Sequence, residues 1–198
     1  MEEGRVTVDG VTYDIPRPFM VIATQNPIGF VGTYPLPEAQ LDRFALRIRM
    51  GYPTQEEEIA ILRNRSQGEP METVKALPGR NAVLLMKEAA DRIRLSEEIE
   101  NYIVTLVAAT RSRQELALGA SPRASLSLMR LSRAFAVIRH RNYVVPEDVA
   151  DLFCAAVAHR VTLTREASTV GQTAETVLKE ILSETPVPFL PRARRKVL

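Results

Sequence analysis

The sequence contains one cysteine, no tryptophan and two histidines among its 198 residues. A single cysteine excludes an internal disulfide and a zinc site built from cysteines. Cys154 follows Phe153 in an apolar stretch with helical spacing, which predicts a buried and chemically inert thiol. His140 and His159 have no second ligand at metal-binding spacing, so both are interpreted as structural or surface residues.

An excess of one charge and long hydrophobic runs are also missing. The 26 basic and 24 acidic residues leave a formal net charge of +2, which is too small to require a nucleic acid or an anionic membrane as partner. No apolar run reaches about 18 residues, the length of a membrane-spanning helix, and Met1–Glu3 does not begin a signal peptide. We therefore expect a cytoplasmic protein without a membrane span, and nucleic acid is disfavoured as a partner.

A phosphate-binding loop is absent as well. None of the nine glycines is followed by lysine, so these residues lack the G-x-x-x-x-G-K-[ST] motif whose backbone amides hold nucleotide phosphates. These residues therefore do not contain a self-sufficient P-loop nucleotide site.

An apolar run and a loop organise the N-terminal part. The run Phe19–Ala23 predicts a strand buried on both faces, and Asn26 follows at the edge where open parallel sheets bind ligands. Glu38–Phe44 is predicted as a short helix that ends in an Asp-Arg-Phe sequence. Alternation in Ala45–Met50 predicts a second strand. On these residues alone, an asparagine such as Asn26 is more often an ordinary turn residue, and an arginine such as Arg43 near a helix end is more often a salt-bridge or helix-dipole partner.

A hairpin is predicted at the very beginning, because Asp9-Gly10 separates Arg5–Val8 from Val11–Asp14. A parallel strand at Phe19 needs neighbouring strands and covering helices, and few residues precede it. We therefore expect the chain to begin partway through a domain.

Residues from Thr54 onward are predicted to be largely helical. Thr54 and Glu57 have the spacing of a capping box, and residues 66–78 form a predicted linker. Further helices are predicted over Asn81–Ile93, from Ser96, from Ser121 to about Arg139, from Pro146, and over Thr173–Leu182. The apolar stripes place these residues inward: Ile99, Ile103, Leu106, Val107, Thr110, Ala124, Leu128, Leu131, Phe135, Ile138, Val149, Phe153, Ala156 and Val157.

Arg123 is the unusual residue of this helical part. It lies in the first turn of the helix that begins at Ser121-Pro122, where the helix dipole favours anions over cations. A bound phosphate would supply the missing anion, and a carboxylate of the protein itself is the alternative. The residues leave both possibilities open.

Several motifs resemble those of the MoxR family of AAA+ ATPases. The first are Ala23-Thr24-Gln25-Asn26-Pro27 and the stretch from Gly32 to Phe44. The stretch from Gly119 to Ser125 is similar to the family's sensor 2 motif, and Tyr143–Val149 and His159–Val161 extend the resemblance to about residue 188. Local departures are found at Gly29 and Val31, where the family has acidic or polar residues, and at Val145, where it has threonine.

The resemblance implies roles for three residues. Asn26 would be sensor 1, which holds the attacking water against the γ-phosphate of ATP. Arg43 would be the arginine finger offered to a neighbouring subunit. Arg123 would be the sensor 2 arginine, which reaches a nucleotide phosphate.

The fold implied by the resemblance is an α+β fragment. Residues 1–52 would be the last strands of an α/β AAA+ nucleotide-binding domain, residues 53–188 an all-α helical lid, and residues 189–198 a basic tail. The half that holds the nucleotide would lie upstream, so these residues alone are expected to be inactive and without bound ATP or Mg²⁺. In the full-length protein, ATP and Mg²⁺ would bind at a subunit interface of a ring, expected to be hexameric. Hydrolysis would remodel or mature a client protein, for which a von Willebrand factor A-domain protein is one candidate.

Two other classes of function stay open at this stage. A protein-binding helical module would bind its client regardless of nucleotide. A nucleic-acid-binding helical domain would use the basic tail at Arg192–Lys196 and would show a steep salt dependence of affinity.

Overall fold

A computed structural model of the chain describes residues 4–25, 36–66, 68–76 and 79–189. The α-helices in this part are α1 (Glu38–Leu41), α2 (Gln55–Ser66), α3 (Arg80–Asp91), α4 (Glu97–Ala109), α5 (Pro122–Ile138), α6 (Pro146–Val157), α7 (Arg165–Thr169) and α8 (Ala174–Glu184). The strands are β1 (Arg5–Val8), β2 (Val11–Asp14), β3 (Leu116–Leu118) and β4 (Thr162–Leu163), and two 3₁₀ helices span Pro70–Thr73 and Ala158–Arg160. None of the helices in these ranges is both long and apolar enough to cross a membrane.

The N-terminal hairpin is confirmed. Strands β1 and β2 pair antiparallel, with Arg5 opposite Asp14 and Val8 opposite Val11. Asp9 and Gly10 have φ angles of 50° and 79°, so both central residues adopt the positive φ that a type I′ turn requires.

The strand predicted at Phe19–Ala23 is wrong, because this segment has no regular secondary structure. Its side chains are largely exposed; Ile22 is 82% exposed. A strand is held by hydrogen bonds to a neighbouring strand, and no other described segment pairs with this one. The apolar run is therefore insufficient by itself to produce the strand.

The strand predicted at Ala45–Met50 is also wrong, since this segment lies against the helical part instead. The Arg47 amide donates to the Ala155 carbonyl oxygen over 2.8 Å, and its guanidinium pairs with Glu175 at 2.7 Å. Met50, at the end of this segment, is 94% exposed. The contacts to α6 and α8 take the place of the strand partners that the alternating pattern had predicted.

The hydrophobic core lies among α4, α5, α6 and α8. Its largest fully buried side chains are Phe153, Ile99, Leu106, Leu128, Leu178, Ile181, Val107, Val149, Val157 and Val177. The inward positions predicted for α4 and α6 are all buried. This part of the prediction is confirmed, because amphipathic spacing is a local property of the sequence.

The predicted inward stripe of α5 needs correction. Ile138 is 62% exposed, whereas Leu131 and Phe135 are only partly buried. The buried positions recur every four residues and include Ser132 and Ala136. Small side chains occupy the inner face near the C-terminal end of this helix. A prediction based on the spacing of large apolar residues therefore does not include them.

The predicted helix starts are confirmed by their hydrogen bonds. Ser96 accepts from the Ile99 amide at the start of α4. Thr54 and Glu57 exchange two hydrogen bonds, of 2.8 and 3.3 Å, at the start of α2. Ser121 caps α5, whose first residue is Pro122. These caps satisfy amides that have no partner within the helix.

Candidate functional site

The predicted site residues fall in different parts of the chain. Asn26 lies outside the described residues, so its role as sensor 1 stays a prediction. Arg43 follows α1 in an exposed turn, and none of the described residues forms an ion pair with it. Arg123 lies in the first turn of α5, is half-buried and has interactions with its surroundings.

The turn that carries Arg43 is attached to the start of α5. The Ser121 hydroxyl donates to the Asp42 carboxylate, with both carboxylate oxygens 3.0 Å away. The same hydroxyl oxygen accepts from the Arg123 amide at 3.3 Å. Asp42 therefore places a negative charge at the N-terminal end of α5, as the helix dipole favours.

The close approach of Gly119 to the end of α4 positions this helix start. A Cβ atom at Gly119 would lie 2.7 Å from both the Arg111 Cα and the Thr110 carbonyl oxygen, which is closer than real Cβ contacts. The next residue, Ala120, donates its amide to the Thr110 hydroxyl over 2.9 Å and accepts from Arg111 Nε over 2.9 Å. A side chain at residue 119 would therefore force this junction apart.

Arg160 is a site residue that the sequence reasoning missed. Its side chain is 1% exposed, and Nη2 donates to the Phe44 carbonyl oxygen at 2.6 Å and to the Ser127 hydroxyl at 2.9 Å. Its Nε lies 3.7 Å from the Asp42 carboxylate. Burial lowers the pKa of Arg160, the Asp42 carboxylate raises it and the nearby Arg123 lowers it. Arginine stays protonated in proteins, so the buried group is a fixed positive charge.

His159 lies against the same carbonyl. Its Nε2 is 3.0 Å from the Phe44 carbonyl oxygen and 3.3 Å from Arg160 Nε, which donates toward it, so the tautomer decides which of the two hydrogen bonds Nε2 makes. Burial is the main cause that lowers the pKa of His159 below its usual 6.5, and the positive charges of Arg160 and Arg47 lower it further. The imidazole is therefore neutral at pH 7. His159 lies in a structural position, as predicted. Nothing in the sequence around His159 indicated its contact with Phe44.

We predict that His159 makes the stability of the chain depend on pH. Because its pKa is lower in the folded state, the unfolded state binds the proton more readily. The contribution of the neutral imidazole is therefore present above the unfolded pKa and is lost as the pH falls below it. Thermal unfolding at about pH 7.5 and about pH 5.5 should show a larger loss for the wild type than for His159→Gln. His140→Gln, which changes the exposed histidine, is the control; an equal loss in all three proteins would contradict the prediction.

Cys154 and His140, which the sequence predicted to be structural or surface residues, lie away from Asp42, Ser121 and Arg160. Cys154 on α6 is half-buried, and burial raises the pKa of its thiol, so the unreactive protonated form is favoured. His140 is exposed, with a φ angle of 55° just after α5.

Comparison with protein families defines the class of this chain. Residues 1–46 match a family described as "ATPase family associated with various cellular activities (AAA)". Residues 108–181 match the AAA lid domain. The second match contains α5 with Arg123, and the first contains the turn with Arg43. The helical part and the attached turn therefore match two domains of the AAA class.

Individual relatives identify the family more closely. The chain is 43% identical over 195 residues to the uncharacterized protein YeaC of Bacillus subtilis, a match that covers 98% of this chain and 61% of YeaC. It is 37% identical over 197 residues to the chaperone MoxR1 of Mycobacterium tuberculosis, covering 95% of this chain and 52% of that protein. The chain belongs to the MoxR family of AAA+ ATPases.

A solved structure has the same fold. The crystal structure of a candidate ATPase from Cytophaga hutchinsonii superposes with a TM-score of 0.88 at 34% sequence identity, covering 95% of this chain and 60% of the other. The chain thus spans only part of the length of each of these similar proteins.

Proposed function

We propose that this chain is the C-terminal portion of a MoxR-type AAA+ ATPase that uses ATP hydrolysis to remodel or mature client proteins. In this proposal residues 1–52 belong to the nucleotide-binding domain and residues 53–188 form the helical lid. The supporting observation is the contact between Asp42 and Ser121, which brings together the turn that carries Arg43 and the helix that carries Arg123.

The geometry suits two cations that act on phosphate. Arg43 follows Asp42 directly, and Arg123 lies two residues after Ser121, so one contact holds both segments. Arg43 is exposed and pairs with no described carboxylate, which leaves its guanidinium available to an anion outside this chain. A neighbouring subunit would present such an anion as the phosphates of its nucleotide.

The proposed chemistry divides among three residues. Phosphoryl transfer spreads negative charge over the oxygens of the transferred group, and catalysis consists mainly of positioning and cationic stabilisation. Asn26 would orient the attacking water, Arg43 would stabilise the charge that develops in the transition state, and Arg123 would bind a phosphate oxygen. ATP supplies the transferred phosphoryl group, and Mg²⁺ neutralises charge on its phosphates. Because these 198 residues contain no phosphate-binding loop, we expect neither tight ATP binding nor turnover from them alone.

The proposed assembly is a homo-oligomeric ring, hexameric in its full-length form. An arginine that acts on a neighbour's nucleotide requires adjacent copies, and a head-to-tail arrangement of such copies forms a ring when its rotation closes. The name of one relative, a chaperone, supports a client protein as the target of the ATPase. A von Willebrand factor A-domain protein is the client class that we propose.

Replacing Arg123 tests this function. In a complete protein that contains this chain, Arg123→Ala should reduce ATP turnover or affinity by roughly 10- to 100-fold, because a hydrogen bond from a charged donor contributes about 1.5 to 3 kcal/mol. Unfolding free energy should change by no more than about 1 kcal/mol, because Arg123 is only half-buried and lies in the first turn of its helix. Steady-state kinetics and thermal unfolding measure the two effects.

The matched control is Arg130→Ala, which removes an exposed arginine further along α5. It should leave ATP turnover unchanged and should change the unfolding free energy by no more than about 1 kcal/mol. A large loss of stability with normal turnover in Arg123→Ala would instead assign Arg123 to an ion pair within the fold.

A further inference from the structure

The turn Asp42–Phe44 is held from both sides of Arg43, which itself has no ion pair in the described part of the chain. On one side the Asp42 carboxylate accepts from Ser121. On the other side the Phe44 carbonyl accepts from Arg160, and His159 Nε2 lies 3.0 Å from the same oxygen. The direction in which Arg43 leaves the backbone is therefore set by residues of the helical part.

Arg160 makes the most direct connection between this turn and the helices. Nη2 bridges the Phe44 carbonyl oxygen and the Ser127 hydroxyl, at 2.6 and 2.9 Å, so one nitrogen joins the turn to the middle of α5. Arg160 lies in the 3₁₀ helix that follows α6, and its side chain is almost completely buried. Burial of a charge costs free energy that an apolar side chain of similar volume would avoid. The hydrogen bonds that offset this cost are directed to the turn and to α5.

We infer that Arg160 is a positioning residue for Arg43. It fixes the Phe44 carbonyl next to Arg43 and so couples the placement of the arginine finger to the orientation of the helical part. The inference rests on the proposed function, because it takes Arg43 to act on a neighbouring subunit's nucleotide. A movement of α5 relative to that neighbour would carry Arg43 with it.

Mixed rings of the complete protein isolate this role. Acceptor subunits carry Arg43→Ala and keep an intact phosphate-binding loop. Donor subunits have an inactivated phosphate-binding loop, so they bind no ATP and contribute only their Arg43. The measured quantity is the ATP turnover that donor subunits restore to acceptor subunits. This turnover depends on where the donor places its Arg43, because the donor itself hydrolyses no ATP.

Donors that also carry Arg160→Ala should restore much less turnover than unmodified donors, by about 10²-fold, since a misplacement of about 1 Å near the reacting group has an effect of that size. Ser127→Ala in the donor should cause a smaller loss in the same direction, because it removes the α5 anchor of Arg160 and leaves the charge in place. The control is Ser132→Ala in the donor: this serine is on the same helix, is buried, and its hydroxyl has no hydrogen-bond partner in the described ranges. It should restore turnover as unmodified donors do.

The outcomes separate this inference from the proposed function. If unmodified donors fail to restore turnover in rings shown to be mixed, the finger assignment itself is wrong. If unmodified donors succeed and the Arg160→Ala and Ser127→Ala donors succeed equally, Arg160 does not position Arg43. Should Arg160→Ala prevent assembly, the comparison of Ser127→Ala with Ser132→Ala decides, since both variants make the same small chemical change.

Discussion

Arg43→Ala is expected to abolish ATP turnover in a complete ring that contains this chain, while ATP binding is retained. Arginine fingers contribute roughly 10³- to 10⁵-fold in rate because they meet charge that develops only in the transition state. Arg43 is exposed and has no ion pair with a described residue, so its removal should change unfolding free energy by no more than about 0.5 kcal/mol. Turnover, nucleotide affinity and thermal unfolding are the three measurements.

Arg49→Ala is the matched control for this substitution. Arg49 is also exposed and lies a few residues further along, where it pairs with Glu175 at 3.0 Å on the surface. Its removal should leave turnover unchanged. If Arg49→Ala lowered turnover as much as Arg43→Ala, the effect would reflect the docking of the whole segment and not a finger.

Mixing subunits decides whether Arg43 acts within its own subunit or on the next one. Subunits that cannot bind ATP but keep Arg43 should partly restore turnover to Arg43→Ala subunits in the same ring. Turnover equal to the sum of the two inactive parents, in rings shown to be mixed, would contradict action across the interface. The ion pair between neighbouring Asp42 and Arg43 then becomes the remaining alternative, although in this structure Asp42 contacts Ser121 and Arg160 instead.

Most helices of residues 53–188 were predicted because their signals are local, whereas the pairing of β3 with β4 contradicts the all-α expectation for this part. Ser96, Ser121 and Pro122 mark helix starts through their own side chains and backbone restrictions, and the spacing of apolar residues defines the inner faces. The strands predicted at Phe19–Ala23 and Ala45–Met50 were wrong for the opposite reason. An apolar or alternating segment becomes a strand only beside a partner, and Arg47 finds its partners on α6 and α8.

The candidate site could be predicted only in part. Motif resemblance pointed to Arg43 and Arg123 by position along the chain. The contact between Asp42 and Ser121 joins residues 79 positions apart, and nothing in either segment specifies the other. Arg160 was missed because a charged residue just after a helix is ordinarily solvated, and its burial depends on how the Phe44 carbonyl is placed by the fold.

The second large effect that we expect is a loss of stability when Asp148, a buried acid at the start of α6, is replaced. Asp148 is completely buried and accepts hydrogen bonds from both terminal nitrogens of Arg141. It also accepts from the Val145 amide at 3.0 Å, which is half of a capping box. Val145 cannot complete that box because valine has no side-chain acceptor, so Asp148 is the side chain that caps this helix.

Asp148→Ala should lower the unfolding free energy of the chain by about 3 kcal/mol, since removal of one partner leaves the other charge of a buried pair uncompensated and also removes a helix cap. Thermal unfolding should then shift by roughly 6 to 12 °C for a chain of this size. Asp151→Ala is the control on the same helix: Asp151 pairs with Arg139 at 2.9 Å but is about half exposed, so its removal should change stability by less than about 1 kcal/mol. Because Arg141 keeps some access to solvent, it can recover part of its hydration, which places the expected loss near the lower end for buried pairs. Equal and small shifts for the two variants would show that the Arg141 pair contributes no more than a surface ion pair.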